Sequence, residues 1–205
     1  MYKRIAISLT DMFINQKIVS SDKRDICQYG FEMLISTIAY MLIFFFTAII
    51  TDTFIESLMF WLGLFVIRKT AGGHHAKSYS SCHLLFAFNH VLFIAATKVL
   101  PRASVFVSIC LLLSFAITTV AICAPVDHKN KPFIKNEYIR YKMLSRVYCV
   151  ILLAILVSII IIHTTNRSTE IGDILYFSFS FGTASATVSL LSAKIIRYKE
   201  RGTIK

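Results

Sequence analysis

Acidic side chains are scarce in this sequence: 11 Asp and Glu among 205 residues, against 22 Lys and Arg. Paired cysteines are missing as well. The five cysteines are an odd number and include no CxxC, which argues against a disulfide framework or a zinc ribbon. No ATP-binding motif, internal repeat or low-complexity tract is present. The long apolar runs carry only isolated polar groups such as Asn89 and His90, not the mid-membrane charges that a transporter uses. The formal charge of +11 lies beside those runs and lacks interleaved exposed aromatics, so membrane lipids of negative charge are the plain partner, an acidic peptide the sharper one, and no nucleic acid is expected. Residues 2–30 are polar and charged, and the first long apolar run starts too late and continues too far for a cleavable signal.

What is abundant is apolar surface. Hydrophobic residues make up 56% of the chain and mean hydropathy is +0.67, more than a soluble domain of this length can hide. A hydrocarbon core about 30 Å thick asks for roughly 20 apolar helical residues per crossing. Candidate spans are residues 31–50, 53–67, 84–100, 103–123, 147–163 and 171–193. The expectation is an all-α integral membrane protein, one membrane domain over residues 1–205 with about six transmembrane helices. Ahead of them, Ile5, Leu9, Met12, Phe13 and Ile18 alternate with Lys3, Arg4, Asp11, Asn15 and Lys17, the pattern of an amphipathic interfacial helix. Ser20, Ser21, Asp22 and Asp25 then read as a helix start, with a capping hydroxyl and acids in the first turn, and that helix can run on through Ile50.

Basic residues concentrate in short cytoplasmic connections. With a cytoplasmic N-terminus and six crossings, 19 of the 22 fall inside and only Lys98, Arg102 and Arg167 outside. Both termini and the connections at 68–83 and 124–146 are therefore expected at the cytoplasmic face. The second span is the short one, reaching only about 22 Å at 1.5 Å per residue. Either flanking polar residues extend it or the loop after it is drawn into the membrane boundary. Pro101 suits the boundary between the third and fourth spans, and Pro125 and Pro132 bound a non-helical piece before a segment that can be helical again. Gly182, Ala184, Ser185, Ala186 and Ser189 line the last span and permit close helix packing.

Chemistry concentrates in residues 68–83, RKTAGGHHAKSYSSCH. Cys110, Cys123 and Cys149 sit in or beside apolar runs, where cysteine behaves as a small hydrophobe. Cys27 is on a polar helical stretch. Cys82 alone shares a polar loop with histidines. A free thiol ionises near pH 8.5, and an adjacent imidazole or a helix N-terminus lowers that value. Cys82 stands just before the third apolar span, so it falls in that helix's first turn, with Ser80 or Ser81 as cap. In an unbroken helix His75 and Cys82 would stand roughly 10.5 Å apart along the axis. The chain must therefore fold back between them, and Gly72-Gly73 helps it turn. Arg68 carries a permanent charge that can hold a carboxylate or an oxyanion, or serve as an ordinary cytoplasmic anchor.

The run Arg68-x-x-x-Gly72-Gly73-x-His75-Ala76-x-x-x-x-x-Cys82 resembles the signature of the accessory gene regulator B family, membrane-embedded cysteine endopeptidases of Gram-positive quorum sensing. Six spans, a length near 200 residues and the Pro125-x-Asp127-x-Lys129-Asn130-Lys131-Pro132 connection are also similar. The resemblance implies that Cys82 is the nucleophile and His75 its general base, with Arg68, Gly72 and Gly73 in support. His74 precedes the motif histidine and offers a second imidazole; Asp127 and Asn89 are possible orienters. The implied partner is a propeptide with an amphipathic leader and an acidic C-terminal tail. Cys82 removes the tail, holds the remainder as a thioester, and yields a thiolactone or lactone ring without a cofactor. Lys69, Lys77, Lys129 and Lys131 are the candidates to hold the tail, and a homodimer is what the family suggests. Three other readings stay open: a metal site from His74, His75, Cys82 and His83, a transporter, and a non-catalytic scaffold.

Overall fold

The computed structural model describes residues 2–71, 79–126 and 135–202, and within these not the side chains at 2, 70, 79–82, 135 and 200–202. The described residues form seven α-helices and no strand: α1 (Tyr2–Asn15), α2 (Arg24–Ile50), α3 (Phe54–Ala71), α4 (Tyr79–Val99), α5 (Arg102–Cys123), α6 (Lys135–Thr164) and α7 (Glu170–Gly202). Four stretches are long and apolar enough to cross a membrane: Ser21–Ile50, Arg102–Cys123, Asn136–Thr164 and Glu170–Lys199. The apolar part of α4, His83–Val99, is shorter, and α3 has 18 residues. Thus the all-helical class expected from the sequence holds, with four of the expected spans meeting the length that a crossing asks for.

The chain divides into two compact units, Met1–Asp52 with Ala76–His90, and Thr53–His75 with Val91–Lys205. In the first, α1 lies on α2. Ala6 and Thr10 are fully buried, and Phe13 meets Phe31 edge-on at 5.1 Å. An exposed ion pair, Arg24 to Asp11 at 2.7 Å, joins the two helices. The buried line is therefore Ala6 and Thr10, with Phe13 half-buried beside them, while Ile5 and Met12 remain exposed. The helix is amphipathic as the sequence suggests, but the small residues beside its large ones make the protein contact, because they let two helices come close.

The start of α2 differs from expectation. Ser20 caps a short 3-10 turn, Ser21–Lys23, without donating or accepting a side-chain cap bond. Beyond it, Ser36, Tyr40, Phe44 and Ala48 recur every four residues and form one buried stripe. That stripe receives the first half of α4. Tyr40 stacks on His83 at 5.6 Å, Phe44 approaches His90 at 4.3 Å, and Thr47 Oγ1 pairs with His90 Nδ1 at 3.2 Å.

In the second unit α7 is packed by α3 and α5, and α6 by α5 and α3. Buried positions repeat at helical spacing: Phe60, Leu64, Ile67 and Ala71 on α3, Ile109, Leu113, Ala116 and Val120 on α5, and Tyr148, Leu152, Leu156 and Ile159 on α6. On α7 the buried set is small or hydroxylated, and Ser178, Ser180, Thr183 and Thr187 each donate back to their own helix backbone. Their polar groups are thus satisfied locally, leaving a low surface for a neighbour. The backbones of α3 and α7 use it. A Cβ on Gly182 would collide with the Phe60 carbonyl oxygen, and one on Gly63 would collide with the Phe179 carbonyl oxygen and stand 2.7 Å from Thr183 Oγ1.

Two ties give the direction of α5 and α7. Arg102 and Glu170, at their N-terminal ends, form an ion pair. Lys194 Nζ donates to the Ile122 carbonyl oxygen at 2.7 Å near their C-terminal ends. The helices therefore run parallel, with the ties twenty residues apart along α5, or about 30 Å at 1.5 Å per residue.

Candidate functional site

Helix α3 leads into the motif. It continues to Ala71 rather than stopping near Ile67, so Arg68 and Lys69 lie in its last turn, where cations complement the negative end of the helix dipole. The helix itself thus extends through the polar residues that flank its apolar part. Ile67 and Ala71 are fully buried and anchor this turn. Arg68 is half-buried between them, and Lys69 Nζ sits 5.6 Å from the centroid of the Phe65 ring.

The backbone N–H of Val126 donates to the Ala71 carbonyl oxygen at 3.1 Å. This bond joins two points of great importance to the sequence reading. Ala71 is the residue before Gly72, and Val126 is the residue before Asp127. The two polar connections, one with the histidines and one with Lys129 and Lys131, therefore begin from adjacent backbone. Gly72, Gly73, His74, His75, Lys77, Asp127, Lys129 and Lys131 themselves lie outside the described residues.

Helix α4 takes up the chain at Tyr79, and the backbone of Cys82 lies in its first turn, as expected. Its side chain is outside the described set, so the pairing of Cys82 with His75 is too. Ser80 and Ser81 are inside the helix rather than capping it, because the helix starts earlier than the apolar run does. His83 is the neighbour that the structure places. Its ring is stacked on Tyr40, and both ring nitrogens are buried without a hydrogen-bond partner among the described residues. Phe86, one turn on from position 82, also meets Tyr40, at 5.5 Å. Tyr40 thus sets the rotation of α4 about its axis, and with it the bearing of its first turn. The role of Tyr40 was not legible beforehand; its only trace is the four-residue spacing with Ser36, Phe44 and Ala48.

Asn89 donates to the Leu85 carbonyl oxygen of its own helix at 2.9 Å. No group of three or more His, Cys, Asp or Glu side chains gathers among the described residues. A second feature missed from the sequence is an open pocket of about 310 Å³ in the second unit, lined by the end of α5 with Tyr138, Lys194, Arg197 and Tyr198.

The fold and the motif together define a class: an all-helical protein whose long apolar helices fit a membrane, carrying a basic connection that ends in a cysteine on a helix's first turn. The chain belongs to the accessory gene regulator B family, whose model matches residues 6–191. It is similar to a putative AgrB-like protein of Clostridium perfringens (strain SM101 / Type A), 31% identical over 144 residues, covering 63% of this chain and 65% of that protein, just under two thirds of its length. Putative AgrB-like protein 2 of Clostridium perfringens (strain 13 / Type A) is 25% identical over 199 residues, 93% of this chain and 91% of its own length. The accessory gene regulator protein B of Staphylococcus haemolyticus is 31% identical over 131 residues, 62% of this chain and 66% of its own. No solved structure matches the chain. Membership places the protein in accessory gene regulation.

Proposed function

We propose that this protein is a multi-pass membrane cysteine endopeptidase that trims and cyclises a quorum-sensing propeptide at the cytoplasmic face. The single observation that carries the reading is the position of Cys82 in the first turn of α4, within the family's matched region. Backbone N–H groups at a helix N-terminus carry partial positive charge and favour a thiolate over a thiol. His75 takes the thiol proton as general base.

The chemistry then runs in two transfers. The Cys82 thiolate attacks the carbonyl of the bond before the acidic tail, forming a tetrahedral oxyanion to which Arg68 is the available permanent cation. Collapse breaks the C–N bond, the imidazolium of His75 protonates the leaving amine, and the remainder stays on Cys82 as a thioester. A thiol or hydroxyl within the peptide, its proton taken by the now neutral His75, displaces Cys82 and closes the ring, returning the thiolate. Exchange of one thioester for another is nearly isoenergetic, so no nucleotide is consumed. Lys69, Lys77, Lys129 and Lys131 attract the acidic tail, and the Ala71 to Val126 bond supports this by starting both connections from one place. His74 serves as the alternative base if His75 does not.

Reconstituted protein and a propeptide carrying an acidic tail test the scheme. Cys82→Ala should abolish cleavage, and His75→Ala should slow it by roughly 10²- to 10⁴-fold, the usual contribution of general-base catalysis. Cleavage that persists in Cys82→Ala removes the proposal. A Cys82→Ala protein that is inactive but no longer inserts would be replaced by Cys82→Ser, which keeps the volume and should leave membrane insertion intact.

A further inference from the structure

The pocket in the second unit is built from three distant parts of the chain. Ile122 and Cys123 end α5 and residues 124–126 follow it, Tyr138 belongs to the polar opening of α6, and Lys194, Arg197 and Tyr198 occupy the end of α7. In α6 and α7 the apolar run meets polar residues at this level, and α5 ends there. The opposite tie, Arg102 to Glu170, is twenty residues away along α5, about 30 Å and so about one hydrocarbon thickness. The pocket therefore stands at headgroup depth, lined by apolar Ile122 and Val126 together with the cations Lys194 and Arg197.

Its chemistry suits one kind of ligand. Lys194 uses one of its three N–H groups on the Ile122 carbonyl oxygen, offsetting the negative end of α5. Arg197 brings a second, always-charged group with a fork of donors that fits phosphate. Tyr138 and Tyr198 are exposed and offer apolar rings with hydroxyl tips, the residues favoured where lipid meets water. The volume of about 310 Å³ is at the small end of ligand pockets, which run from roughly 300 to 1,000 Å³. We propose that this pocket is a specific site for the phosphate of an anionic phospholipid, with Lys194 and Arg197 on the phosphate oxygens, Tyr138 and Tyr198 beside the glycerol, and the acyl chains leaving past Ile122. The site rests on the membrane reading of this unit and is independent of Cys82 chemistry.

The test uses the full chain in a neutral detergent, without peptide, and counts lipid adducts by native mass spectrometry. The probe is short-chain phosphatidylglycerol; phosphatidylcholine of the same chain length and glycerol phosphate without chains are the comparisons. Phosphatidylglycerol should bind preferentially, and Lys194→Gln and Arg197→Gln should each weaken it about fivefold, the value of one basic residue near an anionic surface. Lys194→Arg and Arg167→Gln, the latter at the far end of the unit, should bind as the parent does. Circular dichroism checks that each variant is folded; if Lys194→Gln is not, Arg197→Gln with Tyr198→Ala carries the same expectation. Equal binding of phosphatidylcholine, unchanged binding in the folded variants, or an equal loss in Arg167→Gln overturns the proposal. Glycerol phosphate binding as tightly as the lipid reassigns the pocket to free phosphate and overturns its lipid source.

Discussion

Several buried polar residues in the apolar helices have a local or single distant answer. Thr47 donates back to its own helix and also meets His90 Nδ1, a partner 43 residues on. Which atom carries the proton follows from the imidazole tautomer. Thr47→Val keeps the shape and removes the oxygen, leaving His90 Nδ1 without this partner. The expected cost is about 0.5 to 1.5 kcal/mol, the measured range for such bonds between membrane helices, while Thr47→Ser should cost less. Thermal unfolding in detergent compares the two, and equal midpoints for Val and Ser would count against the bond. From the sequence, His90 was one isolated polar group among apolar neighbours. Its partner could not be read there, because the bond depends on how α2 and α4 are rotated against each other.

At the level of the element, helix boundaries follow composition closely where an apolar run meets charge or proline. Pro101, with φ of −62°, precedes α5 as its fixed backbone angle favours. A boundary moved at α3, which gained Arg68 to Ala71, while α6 begins at Lys135, in the polar segment after Pro132 that was expected to be helical again. Interhelical closeness was visible only as a tendency in the small residues of α7. The two glycines show where it acts. Gly182→Ala should cost about 1 to 3 kcal/mol, because its methyl group meets the Phe60 backbone, which cannot turn aside as a side chain would. Gly30→Ala, with nothing within 4 Å, should be neutral or add up to about 1 kcal/mol of helix stability. Unfolding midpoints in one detergent separate the two, and a harmless Gly182→Ala would mean that α3 and α7 do not touch backbone to backbone.

For the molecule as a whole, charge sorts along the α5 and α7 direction. Arg102 pairs with Glu170 at one end, and Lys194, Arg197 and Lys199 collect at the other. The proposed orientation makes the second end cytoplasmic. In a cysteine-free background, Arg167→Cys should react with a membrane-impermeant maleimide in intact cells, and Tyr198→Cys only after permeabilisation. The reverse pattern would invert the orientation, and with it the cytoplasmic site.

By itself the sequence determined that the chain is helical, where four of its long apolar spans lie, and which polar connection carries the cysteine and histidines. These follow from short-range physics: apolar solvent forces the backbone to satisfy its own hydrogen bonds within each helix, and the apolar length measures the bilayer. Tertiary structure alone decided that Ala71 and Val126 begin two connections from one bond, that Gly63 and Gly182 face neighbouring backbone, and that Tyr138, Arg197 and Tyr198 share a pocket with the end of α5. Each joins residues tens of positions apart, and a helix's composition does not say which of its faces a distant helix will choose when several are apolar enough to serve.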